Sequence, residues 1–138
     1  MAEQLKLELV TPHSTVVSEE VDEITATGTI GEFGVLPGHM AFLTSLKIGE
    51  FSFKKGGSSR FLAVDKGYFE VVNDHVTVLV NAAEYAEEID IERAKQAMAK
   101  SEEQLKTLAP DDKDYAAMEA ALQKALIRMQ VAAKAARR

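Results

Sequence analysis

The stretch Val76-Thr77-Val78-Leu79-Val80-Asn81-Ala82-Ala83-Glu84-Tyr85-Ala86-Glu87-Glu88-Ile89-Asp90-Ile91-Glu92-Arg93-Ala94 changes its hydrophobic period partway along. Up to Val80 it is a β-branched run of the kind that fits a pleated, half-buried strand. After Glu84 the spacing becomes helical. Ile91, Ala94, Met98, Ser101, Leu105 and Leu108 recur at alternating steps of three and four, a heptad seam along one helix. Asp90 stands where an N-cap belongs, with Ile89 just outside the helix. The chain therefore divides here, into a strand-rich part over residues 1–86 and a helical part over residues 87–138.

Upstream of the switch every signal is of strands. Leu5, Leu7 and Leu9 alternate with Lys6, Glu8 and Val10, and further short β-branched and aromatic runs follow, from Val21 to Thr27, Ile48 to Phe53, Arg60 to Val64 and Tyr68 to Val72. Lys55-Gly56-Gly57-Ser58 reads as a hairpin turn, and Lys66-Gly67 and Asn73-Asp74 as similar breaks. Many short strands at even spacing predict an antiparallel β-sandwich or flattened barrel. Downstream, Ala109-Pro110-Asp111-Asp112 stops the first helix, because proline disfavours helical geometry before it and lacks an N–H. A second seam then runs through Tyr115, Met118, Leu122, Ala125, Met129, Ala132 and Ala136. So short a break predicts an antiparallel two-helix hairpin, giving an α+β chain in two parts. The seams rely on Ala, Ser and Met, and each buried methylene contributes only about 0.8 kcal/mol. The expectation is a stable body and a loosely held arm.

Composition narrows the function. A net charge of −6 argues against nucleic acid as the main partner. There is no Cys, which excludes disulfides, thiolate zinc sites and a cysteine nucleophile. The start, Met1-Ala2-Glu3-Gln4-Leu5, lacks the pattern of a secretory or transit peptide, and no apolar run is long enough to span a bilayer, so a membrane is met only indirectly, through partners. Charge is unevenly spread: residues 1–86 hold 12 acidic and 6 basic side chains, whereas residues 87–138 hold 10 of each. The last segment, from Tyr115, sets Lys124, Arg128, Lys134, Arg137 and Arg138 against Glu119 alone, a net of +4. The final cations complement a helix dipole, but Lys124 and Arg128 lie further back.

Gly31-Glu32-Phe33-Gly34-Val35-Leu36-Pro37-Gly38-His39 reads as a loop whose small and rigid residues set the backbone while Val35 and Leu36 tuck under the sandwich. It resembles the GE-x-G-x-LPGH signature of the epsilon subunits of bacterial F-type ATP synthases. Leu9-Val10-Thr11-Pro12, Lys54-Lys55-Gly56-Gly57, Gly67-Tyr68-Phe69-Glu70-Val71, Val76-Thr77-Val78-Leu79 and Ile89-Asp90-Ile91-Glu92-Arg93-Ala94 are similar to that family in the same order, so the resemblance covers nearly the whole chain. Met40-Ala41-Phe42 departs from it, standing where a Pro commonly precedes the next apolar residue.

The resemblance implies a non-catalytic central-stalk subunit. Its sandwich would bind the gamma subunit and the ring of membrane-embedded c subunits, at the cytoplasmic face of the bacterial plasma membrane. Glu32 would face the polar loops of the ring, with His39 on the same loop; both also read as members of an ordinary polar loop. The helices would restrain ATP hydrolysis by reaching acidic surfaces of the alpha and beta subunits, which the +4 segment suits. Lys124 and Arg128 equally read as a solvated cationic stripe. Some relatives bind ATP in the hairpin. There the resemblance points to Glu84, Ile89, Asp90, Arg93, Ala94, Lys124 and Arg128. Lys124 and Lys100 stand where the tighter binders carry Arg, and Lys lacks the bidentate fork that grips phosphate, so the expectation is weak ATP (Mg) binding and no required cofactor. Asp90 as a cap, and Arg93 paired to Asp90 or Glu84, explain the same residues without a ligand.

No phosphate-binding G-x-x-x-x-G-K-[ST] loop occurs, and His13, His39 and His75 show no metal-ligand spacing, so no active site is expected. A free-standing adaptor using its helical arm to bind partners or sense nucleotide accounts for the heptads equally well. It leaves the glycine-proline loop unexplained.

Overall fold

The computed structural model describes residues 3–135. Ala136, Arg137 and Arg138, the end of the second seam and of the basic segment, lie outside the described residues. Two compact units make up the chain, one ending at Tyr85 and the next beginning at Ala86.

In the first unit the alternating runs become β1 (Leu5–Val10), β2 (Thr15–Val21), β3 (Glu23–Thr27), β4 (Glu32–Val35), β5 (Phe42–Leu46), β6 (Gly49–Lys55), β7 (Ser58–Val64), β8 (Gly67–Val72), β9 (His75–Val80) and β10 (Ala83–Tyr85). They form two five-stranded sheets, ordered β2-β1-β9-β8-β5 and β10-β7-β6-β3-β4. Inward side chains of both sheets, Leu5, Leu7, Phe51, Phe53, Phe69 and Val78 among them, form one core in which each is at most 4% exposed. The run from Val21 to Thr27 is not one strand. It crosses from one sheet to the other at Asp22, whose N–H donates to the Lys54 carbonyl at 2.7 Å. At another corner Gly28 bridges to Leu46, so the sandwich is closed like a flattened barrel. One pair departs from the antiparallel expectation: β1 runs parallel to β9, with Leu7 opposite Val76 and Leu9 opposite Val78.

The turns follow their residues. Gly56 and Gly57, at φ +58° and +82°, connect Lys55 to Ser58 as a two-residue hairpin. Asn73 and Asp74, at φ +49° and +63°, do the same between Val72 and His75. Positive φ at both central residues gives a turn the twist that matches its strands. Gly67 serves differently. A Cβ there would run into the Leu79 carbonyl oxygen and lie 2.7 Å from Val80 Cα, so the close approach of β8 to β9 admits only hydrogen.

Residues 31–39 are not a single loop. Glu32 to Val35 pair with β3 as an edge strand, Ile24 opposite Val35 and Thr27 opposite Glu32. Phe33 and Val35 point inward and Glu32 and Gly34 outward, a period-two pattern masked by the glycines. Val35 is fully buried as expected, but Leu36 is 57% exposed rather than tucked under.

The second unit opens with a 3₁₀ turn, Ala86–Glu88, followed by α1 (Ile91–Thr107) and α2 (Tyr115–Ala135). Asp90 caps α1: its backbone is extended and its Oδ1 accepts the Arg93 N–H at 3.1 Å. Glu92 in the first turn and Lys106 in the last complement the dipole. Leu108 leaves the helix in extended geometry before Ala109-Pro110. In the connection, Asp112 Oδ1 accepts the Asp114 N–H at 2.9 Å, and the Asp114 carbonyl takes the first helical bond of α2, from Met118. Gln104, Thr107 and Leu108 line one cleft with Asp114, Ala117 and Met118, so the helices turn back on each other as an antiparallel hairpin. Its most buried members are Ala94, Ser101, Ala125, Val131 and Ala132, small side chains that offer little area. Ile91, expected in the seam, is 44% exposed, while Ile89 before the cap is 8% exposed. The extended Asp90 turns Ile89 inward, where it and Ala94 hold the N′ and N4 places of a hydrophobic staple.

Candidate functional site

Leu36-Pro37-Gly38-His39 folds into a tight turn closed by the His39 N–H donating to the Leu36 carbonyl at 3.1 Å. Pro37 presets its own φ, and Gly38 takes φ +88°, the left-handed place that such a turn requires at its third residue. The Gly38 N–H donates to Asp74 Oδ1 at 2.7 Å. His39 Nδ1–H donates to the Met40 carbonyl at 2.8 Å, and its ring lies 5.8 Å from that of Phe42. Phe42 meets Phe33 edge-on at 5.5 Å, and Phe33 meets Phe69 edge-on at 5.0 Å. Aromatic rings thus lead from the turn into the core and tie β5 to β4, the edge strands of the two sheets.

On either side of β4 the surface is apolar without being packed. Ile30, beside Glu32, is 98% exposed, Leu36 is 57% and Met40 77%. Glu32 is exposed at the start of β4 and paired through its backbone to Thr27. Four extended residues put Glu32 and the turn holding His39 at opposite ends of that strand, about 10 Å apart. They do not form one catalytic pair. Both ends present a polar group flanked by exposed apolar side chains, a pattern suited to a protein partner.

The residues singled out for nucleotide fall on both units. Glu84 is on β10, opposite Ala63 of β7. Ile89, Asp90, Arg93 and Ala94 form the start of α1. Arg93 is exposed and makes no ion pair among the described residues, whereas its N–H is held by Asp90. On α2, Lys124 is exposed and Arg128 half-buried, one turn apart and so on one face. Arg93 lies 14 residues before the end of α1 and Arg128 lies 13 residues after the start of α2, about 20 Å from the bend in each case. The antiparallel hairpin therefore sets these two cations at about the same height. The described residues include no cluster able to hold a metal and no helix long and apolar enough to cross a membrane.

Residues 4–86 match the family model for the ATP synthase delta/epsilon chain β-sandwich domain, and residues 87–133 match that for its long α-helix domain. The chain belongs to the ATP synthase epsilon-chain family. It is 65% identical to the ATP synthase epsilon chain of Geobacter sulfurreducens and 59% identical to that of Trichlorobacter lovleyi, in each case over the full length of both chains. Among solved structures it is similar to a chain of the Euglena gracilis mitochondrial ATP synthase, with a TM-score of 0.81 and 25% identity, covering 98% of this chain and 82% of that one. A chain of the Tetrahymena thermophila enzyme, at a TM-score of 0.57 and 16% identity, shares the fold. As a family member the chain is a non-catalytic subunit of ATP synthase, a membrane-bound complex. The free-standing adaptor is not favoured, since both units match in the family's order.

Asp74 was read in the sequence only as part of a turn, and its bond to Gly38 links positions 36 apart. Leu36 reads as buried because an apolar residue beside a turn is expected to tuck under, and the sequence marks Met40 only as a departure from the family pattern; both are exposed.

Proposed function

We propose that the chain works in the central stalk of a bacterial ATP synthase, its sandwich seated against the gamma subunit and the c ring and its hairpin acting as a regulatory arm. The observation that carries this is the exposed, built surface around β4: Ile30 and Glu32 at one end, the rigid Leu36–Met40 turn with His39 at the other, on a chain whose two units match the family throughout. The Euglena relative is a chain of an OSCP/F1/c-ring assembly, which supports the same seat. On this reading Glu32 faces the polar loops of the ring with His39 alongside, at the cytoplasmic face of the plasma membrane. The cationic face of α2, including Lys124 and Arg128, reaches acidic surfaces of the alpha and beta subunits.

The test is reconstitution. Added to a catalytic head that lacks this subunit, the chain is expected to bind through gamma and to slow ATP hydrolysis. Absence of association would sink the stalk reading, and association without inhibition would remove the regulatory half.

A second reading, weak ATP binding at the base of the hairpin, is supported by the shared height of Arg93 and Arg128. Against a tight site, Asp90 is engaged as a cap and Lys124 supplies a point charge in place of a fork. Titration calorimetry with ATP and Mg²⁺ is expected to give a weak signal that Arg93→Ala abolishes; an affinity indifferent to that change would remove the assignment.

A further inference from the structure

We propose that Asp74 is a positioning residue for the partner-facing turn, its carboxylate holding the Leu36-Pro37-Gly38-His39 backbone in the shape that presents Leu36 and Met40. Asp74 lies in the hairpin between β8 and β9, far from that turn in sequence. Its own backbone is well fixed: it takes φ +63° beside Asn73 at +49°, and its carbonyl accepts the Lys6 N–H from β1 at 2.8 Å. From this anchor Oδ1 reaches the Gly38 N–H at 2.7 Å, within the range of a charge-assisted bond. The His39 N–H closes the turn and the His39 ring is tied to Met40 and lies against Phe42, while the Asp74 carboxylate fastens the turn's backbone at Gly38 to the β8–β9 hairpin.

The turn needs such a fastening. Leu36 and Met40 are largely exposed and cannot hold it by packing. A loop ordered before binding loses less conformational freedom when a partner arrives. Asp74 therefore acts through the turn, with no contact to the partner required. The proposal deepens the stalk reading and rests on it.

Two substitutions separate this role from simple stability. Asp74→Gly suits the left-handed backbone and keeps the carbonyl bond to Lys6, but removes the carboxylate. Asp74→Asn also tolerates that backbone and keeps an acceptor oxygen. In the full chain, D74G is expected to leave the thermal midpoint unchanged or raised while the Gly38 amide exchanges hydrogen at least about tenfold faster. Its affinity for ATP synthase depleted of this subunit should fall about tenfold, equivalent to about 1.4 kcal/mol. D74N should restore both. Unchanged Gly38 exchange in D74G would overturn the clamp, and a released Gly38 with unchanged affinity would overturn its part in docking. Failure of the stalk reading shows differently: Leu36→Asp and Met40→Asp would leave affinity unaltered with Gly38 still protected.

Discussion

Asp22 shows how one side chain can hold two distant pieces of backbone. Its carboxylate accepts the Gly56 N–H at 2.9 Å and the Gln4 amide at 3.1 Å, and these bonds, the first most, hold it below the usual carboxylate range. A depressed folded value means that the stabilisation is fully present above the unfolded value and is lost as pH falls through the folded one. The stability gap between the native chain and Asp22→Asn, measured by urea unfolding, is therefore expected to be constant near neutral pH and to close below about pH 4. Gly67 carries a steric version of the same dependence on distant backbone. Gly67→Ala sets a methyl group against the Leu79–Val80 backbone, which cannot move without tearing β8 from β9. A loss of about 2–3 kcal/mol is expected, a fall in Tm of about 10–20 °C for a unit of this size. Gly56→Ala, which meets nothing within 4 Å but keeps φ +58°, should cost only about 1–2 kcal/mol. Circular dichroism melts of the two variants side by side check the ranking.

At the scale of elements, α1 begins where it does because Asp90 caps it, with Ile89 and Ala94 buried at the N′ and N4 places. Removing the cap by Asp90→Ala is expected to cost about 1 kcal/mol, visible as faster amide exchange at Arg93 and its neighbours. Asp90→Asn should stay close to the native chain. An Arg93 amide indifferent to both changes would mean that the cap contributes nothing to the helix start. The existence of both helices was legible from their three-and-four spacing, and so was the stop at Ala109-Pro110. Which isoleucine is covered was not. Ile89 and Ile91 are both apolar and two apart, and only the extended geometry at Asp90 decides between them. β4 was missed for a comparable reason: its period-two pattern is four residues long, and two glycines nearby read as loop.

Over the whole molecule, the two units are held by different means. The sandwich core draws on Leu, Val, Ile and Phe from every part of residues 5–80, with Ala83 and Tyr85 packed against it. The hairpin seam buries Ala94, Ser101, Ala125, Val131 and Ala132, and its larger side chains are only partly covered. Burial of a Leu or Phe side chain stabilises by about 1.5–3 kcal/mol, while Ala adds little. Residues 1–86 made alone are therefore expected to keep a dispersed NMR spectrum and a cooperative melt within a few degrees of the full chain. In the full chain, helix amides should exchange through openings of lower free energy than strand amides. Truncation is further expected to leave association with the stalk intact and to abolish the slowing of ATP hydrolysis.

The sequence by itself determined the two-part organisation, the sandwich class, the hairpin turns at Gly56-Gly57 and Asn73-Asp74 and the family. Each of these is written in local terms: a period, a turn dipeptide, or a motif in order. Tertiary structure alone decided that β1 lies parallel to β9, that residues 32–35 join the edge of a sheet, and that Asp74 holds Gly38. Alternation tells a strand which face is buried, but not which strand will lie beside it or in which direction. A carboxylate in a turn can accept from any amide the fold brings within 3 Å. The first and last of these choices belong to contacts between residues tens of positions apart, and the edge pairing of residues 32–35 to β3 is local but has no readable alternation to announce it.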